Sequence, residues 1–166
     1  MSIVDDIVAT YRRPRHVIGR LLAAGPREDR ALAILMGAAA VIFVSQWPRV
    51  ARQAHLDPAA PLDARLAGAL LSSVFLLPLV AYLVSLISHL IARALGGTGT
   101  AFGARIALFW SLMAISPLML LHGLLVGLAG PGAGSAIIGA VVFGLFLWIW
   151  LNGLWVAERT PNGELA

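Results

Sequence analysis

Four long apolar runs, almost free of charge, fix what this chain can become. They lie at about residues 31–47, 66–90, 106–128 and 136–156, and each is long enough, or nearly so, to carry a helix across ~30 Å of hydrocarbon at 1.5 Å per residue. Lipid offers no partner for a free peptide group, so such runs cross it as helices whose backbone bonds close within the segment. The expected fold is all-α: a polytopic transmembrane helix bundle of about four spans over residues 31–156. The 166 residues are 60% hydrophobic and 12% charged, with mean hydropathy +0.88, more apolar surface than a water-soluble domain of this size could bury. No stretch is left for a second, water-soluble core.

Residues 1–30 read as an Arg-rich, amphipathic cytoplasmic segment. Ile3, Val4, Ile7, Val8 and Tyr11 recur at helical spacing, as do Val17, Ile18, Leu21 and Leu22 beyond Arg12, Arg13, Pro14 and Arg15. Two short interfacial helices are expected, with their apolar faces on lipid or on the protein's own cytoplasmic surface. Arg12, Arg13, Arg15 and Arg20 are the membrane-surface candidates, each worth ~1 kcal/mol beside anionic headgroups. The segment has no continuous apolar run of its own, so the first span serves as the insertion signal. Gly25 and Pro26 end the second segment, and Glu28 and Asp29 suit the positive end of the next helix.

The connections set the orientation. Trp47, Pro48 and Arg49 mark the far interface of the first span, and residues 50–65, with His55, Asp57, Pro58, Pro61 and Asp63, read as a polar excursion. Pro78 and Pro117 should kink their spans, with the freed carbonyls taken by serine or a neighbouring helix. Residues 96–100 form a Gly-rich hairpin loop, and residues 130–134 a turn short enough to place the last two spans antiparallel. Trp148, Trp150 and Trp155 supply an aromatic belt before a cytoplasmic tail over 157–166. Arg93, Arg105, Arg159 and the N-terminal arginines lie on one side, against Arg49, Arg52 and Arg65 on the other. The positive-inside rule then puts both termini in the cytoplasm.

Chemistry inside the spans is sparse. Gly123 and Gly127, and then Ala136, Ala140 and Gly144, recur every four residues and are expected to form a helix-packing face between the last two spans. His89 and His122 fall near opposite faces, too far apart for a bis-His haem. His122, with Asn152 or a serine as partner, is the candidate intramembrane polar site, more in keeping with a structural hydrogen bond than with a ligand. The loop at 96–100 has no following Lys and no preceding strand, so it is not a phosphate cradle. There is no Cys, no carboxylate pair lies within a span, and the span serines have no base in a protease pattern. No catalytic residue, metal or cofactor is expected, and the arginine placement points to membrane rather than to nucleic acid.

The order of features resembles a bacterial member of the Yip family, the Ypt/Rab-interacting type of small multi-span membrane protein. The likeness rests on Tyr11-Arg12-Arg13-Pro14-Arg15, on His89-Leu90-Ile91-Ala92-Arg93 leading into the loop at 96–100, and on Ala104-Arg105-Ile106-Ala107-Leu108-Phe109-Trp110 ahead of Pro117. Yip relatives commonly have five spans, and the acidic N-terminal stretch of the eukaryotic members is not evident. The resemblance implies a non-enzymatic protein of the bacterial inner membrane and transfers no catalytic residue. The expected role is a scaffold or accessory subunit acting through an integral membrane partner or lipid organisation, with self-association left open. The alternative is a small-solute carrier or channel, its cleft lined by serines and His122 between proline-kinked helices.

Overall fold

The computed structural model describes residues 2–57 and 59–159; Met1, Pro58 and the tail beyond 159 lie outside them. The described chain is all-helical, without strands, and four of its helices are long and apolar enough to cross a membrane. Two short N-terminal helices, α1 (Ile3–Thr10) and α2 (Pro14–Ala23), precede the first long helix, α3 (Glu28–Leu56). The second long helix is composite, α4 (Leu62–Leu71) continuing through a π turn at Ser72–Leu76 into α5 (Leu77–Ala94). The third is α6 (Ala101–Ala129) and the fourth α7 (Ala133–Arg159).

All four long helices outrun the apolar stretches that announce them. α3 shows why. It does not stop at Trp47–Arg49 but runs through Pro48 for two further turns, because α6 receives that extension. Pro48 seats against Gly127, and the Arg52 guanidinium donates to the Leu128 carbonyl at 3.1 Å, taking up an acceptor at the α6 C-terminus. Gly130 closes that terminus with φ 85°, a conformation an L side chain rarely adopts, directly beneath Arg52. The polar excursion expected over 50–65 thus shrinks to residues 57–61, where Arg65 and the Ala59 N–H hold the Asp57 carboxyl below the usual carboxylate range.

The prolines behave as their chemistry requires. Pro117 cannot bond the Met113 carbonyl, and the Ser116 hydroxyl donates to it instead at 2.8 Å. Just before Pro78 the helix widens by one residue into the π turn, which aims Ser73 inward to accept from Gln46 Nε2 at 2.6 Å.

Packing is uneven. α6 is central, with Ala107, Phe109, Ser111 and Ala114 fully buried, and it meets α3 along most of its length. Of the most apolar stretch of each span, 39% is buried in α3 but only 6% in α7. The closed part is the near end, where Glu28 of α3 pairs with Arg105 of α6 and residues 96–100 cross over the end of α7. Toward the far end, at the α3–α4 and α6–α7 turns, α4 and the first half of α7 expose most of their side chains.

The N-terminal helices are part of the closed end. α2 runs alongside α7 and in the same direction, with Ile18 wedged against Gly153 and Ala107, and Gly19 against Val156. Val17, Ile18, Leu21 and Leu22 are all buried in the core. Of the two placements open to the amphipathic faces, α2 therefore takes the protein and not the lipid surface. α1 leaves Val4 and Val8 exposed.

Candidate functional site

At the near end α5 delivers His89 and α7 delivers Glu158 to the same point. Nδ1 of His89 lies 2.7 Å from Oε1 of Glu158, and both side chains are buried, at 7% and 6% exposure. Glu158 sits in the last turn of α7, so the tail does not begin at 157: Ala157 and Glu158 are packed into the bundle. The second oxygen, Glu158 Oε2, is shielded and finds no hydrogen-bond partner among the described residues. An acidic acceptor left open in a buried position costs free energy unless something donates to it.

The Gly-rich loop forms one wall. The Thr98 N–H donates to the Glu158 carbonyl at 2.9 Å, so the loop caps the α7 C-terminus. That approach requires glycine: a Cβ on Gly99 would overlap the Ala157 carbonyl, and one on Gly97 would stand 2.9 Å from Glu158 Oε2. The hairpin loop of the sequence reading is thus a fitted lid on α7. Between it and α7 opens a crevice of about 550 Å³, lined by Ala92, Leu95, Gly97, Leu154, Trp155 and Glu158. Arg159 also borders it, its guanidinium 4.2 Å from the centre of the Trp155 ring.

The N-terminal hairpin brings its own polar groups inward. Thr10 is fully buried and accepts from Trp110 Nε1 at 2.9 Å, while the Tyr11 hydroxyl donates to the Ala114 carbonyl at 2.5 Å. Ala114 lies ~20 Å along α6 from its first residue, so the turn between α1 and α2 reaches the middle of that helix. The four arginines expected at the membrane surface divide. Arg12 and Arg13 are exposed in this turn. Arg15 instead donates to Asn152 Oδ1 at 2.7 Å and lies 4.4 Å over Trp155, and Arg20 pairs with Asp6.

Of the partners open to His122, a serine on the neighbouring helix is taken, through its carbonyl, and Asn152 is not. His122 is at the far end, 3.0 Å from the Ser135 carbonyl, whereas Asn152 is engaged by Arg15 toward the near end. Their depths differ because Ser135 and Asn152 are ~25 Å apart along α7. The packing face between the last two spans is also redrawn. Gly123 and Gly127 close on α3, at Ser45 and Pro48, while Ala136, Ala140 and Gly144 are exposed and nothing lies within 4 Å of a Cβ built on Gly144. α3 takes the close approach because its backbone at Ser45 and Pro48 lies against the turns of α6 that carry glycine.

Sequence reasoning missed Glu158 as the partner of His89, although a signal existed: the assigned topology put both at the same end. No group of three or more His, Cys, Asp or Glu side chains that could hold a metal forms among the described residues. Comparison with family models, with curated proteins and with solved structures finds no match.

Proposed function

We propose that this multi-span membrane protein is a non-catalytic, Yip-like scaffold or accessory subunit of the bacterial inner membrane, with both termini cytoplasmic, acting through a membrane-protein partner or by organising lipid. The observation that carries the reading is the uncovered first half of α7, where Ala136, Ala140 and Gly144 lie open among exposed Ile137, Val141 and Phe143. Small residues at this spacing let a second backbone come close, the main source of helix association where hydrophobicity gives no drive. Arg12 and Arg13, exposed in a turn level with the middle of α6, add cations for an acidic group of a membrane partner.

The test is mass spectrometry of the tagged full chain after mild detergent extraction. A stoichiometric membrane protein that disappears with Ala140→Leu is expected; a chain recovered alone, or a partner indifferent to Ala140→Leu, overturns the scaffold reading. A cytoplasm-only reporter should be active at either terminus and silent in the 57–61 loop, and the reverse pattern would sink the topology.

A second reading, a small-solute carrier, draws on a far-end cleft of about 310 Å³ lined by Ser45, Gln46, Arg49 and His122. Flux into liposomes that His122→Ala alters is what it requires.

A further inference from the structure

One face of α6 carries Leu112, Ile115, Met119, His122 and Val126, spaced by three and four and so aligned along the helix. Two grooves lie on this stripe. The deeper, of about 340 Å³, is bounded by the stripe from Leu112 to His122 and by Val142, Phe143 and Phe146 of α7. The outer is the far-end cleft of about 310 Å³, where the stripe from Met119 to Val126 meets Ile42, Ser45, Gln46 and Arg49 of α3. The two adjoin at Met119 and His122, which line both. Their depths follow from the packing of α3 on α6. Ser45 and Pro48 lie against Gly123 and Gly127, so Arg49 is level with the last turn of α6, at the headgroup end of the span. Counted from Gly127 at 1.5 Å per residue, His122 lies ~8 Å and Leu112 ~23 Å further in, and one leaflet of hydrocarbon is ~15 Å thick.

Most polar groups of the outer cleft are already engaged. Ser45 donates to the Ile42 carbonyl of its own helix, and Gln46 donates to Ser73. The Ser135 carbonyl can only accept, so His122 Nε2 carries a hydrogen and gives it there. Arg49 is different. Of the far-end arginines, Arg52 holds the Leu128 carbonyl and Arg65 holds Asp57, whereas Arg49 is exposed and has no acceptor among the described residues. No carboxylate lines either groove. The shape narrows the choice of occupant: a helix 10–12 Å across fills at least ~400 Å³ for each turn, and each groove offers less than that along about two turns of α6. A hydrocarbon chain is narrower. An open guanidinium at headgroup level, with apolar grooves leading from it past the depth of one leaflet, complements an anionic headgroup on an acyl chain.

We infer that these grooves bind an anionic phospholipid drawn from the leaflet at the far end of the bundle. Its phosphate accepts charge-assisted hydrogen bonds from the Arg49 guanidinium, and one acyl chain passes His122 and Met119 into the groove between α6 and α7. A zwitterionic headgroup adds an ammonium for which the site has no carboxylate, so anionic lipid is preferred. The inference rests on the lipid-organising side of the proposed role and deepens it, giving the far-end cleft a lipid in place of a small solute. It is separable from partner binding, because Ala136, Ala140 and Gly144 lie on another face of α7 from Val142, Phe143 and Phe146.

The experiment is native mass spectrometry of the full chain, delipidated in detergent and offered matched-chain phosphatidylglycerol and phosphatidylcholine in equal amounts. Phosphatidylglycerol should be retained about fivefold better, the worth of one arginine at a headgroup. Arg49→Gln should bring the two lipids level, and Val142→Trp, which fills the deeper groove, should weaken both alike. If Val142→Trp does not fold, the lipid ratio with and without Arg49→Gln still decides. Equal retention by the unaltered chain, a preference that survives Arg49→Gln, or one lost instead with Arg12→Gln and Arg13→Gln overturns the site. So does full displacement by water-soluble glycerol phosphate at equal concentration, which would make it a site for a free anion, or a co-purified membrane protein whose removal is needed before lipid binds, which would make it a seat for a helix. A chain that keeps an Ala140-dependent partner but shows no lipid preference would fail this inference alone.

Discussion

Gly123 and Gly127 on α6 and Ala136, Ala140 and Gly144 on α7 obey the same spacing rule and meet opposite fates. The first pair is roofed by the α3 backbone at Ser45 and Pro48; the second lies open. Spacing states that a backbone can come close on that face, and it leaves the identity of the approaching backbone to the rest of the chain. For Gly123 that backbone is Ser45, within the apolar run of α3, and for Gly127 it is Pro48, just past the run.

The comparison breaks first at Gly123. A Cβ there would occupy the position of the Ser45 carbonyl, so Gly123→Leu has to separate α3 from α6 and should destabilise the bundle by about 3 kcal/mol or more in a detergent unfolding assay. Unchanged stability would mean that α3 and α6 do not meet there. His122→Ala is the intermediate case. It removes one bond to the Ser135 carbonyl at the turn that joins the two helices and should cost about 0.5–1.5 kcal/mol in the same assay. Gly144→Leu should be the mildest, within about 0.5 kcal/mol for the isolated chain, since nothing lies within reach of an added Cβ. A loss at Gly144 as large as that at Gly123 would show that the α7 face is covered in the purified protein, and size-exclusion chromatography with light scattering would then report a second copy.

The four spans were legible because each must satisfy lipid by its own composition, a property local to the run. What lay beyond was set by partners distant in sequence. The end of α3 depends on Leu128 accepting from Arg52, and nothing near residue 52 announces that. The periodicity of Val17, Ile18, Leu21 and Leu22 identified the buried face of α2 but not its cover, because Gly153 and Ala107 are what make room for Ile18. The glycines at 97 and 99 read as a flexible loop; their purpose, contact with the end of α7, exists only once α7 is there. The candidate site fared similarly. His89 and Glu158 were separately assigned to one end, but two residues 69 apart become a pair only through the depth at which each helix is cut off.

The N-terminal hairpin has a consequence for how the protein is made. Thr10 and its indole partner are 100 residues apart in sequence. At a synthesis rate of 5–20 residues per second, the hairpin waits roughly 5–20 s before Trp110 exists, and longer before Gly153 completes the seat for Ile18. During that interval α1 and α2 exist without their partners, and the seat of α2 is complete only after Gly153 and Val156 of the last span have been made. The hairpin is thereby among the last pieces to be seated, and truncation before Gly153 leaves Ile18 without its place on α7.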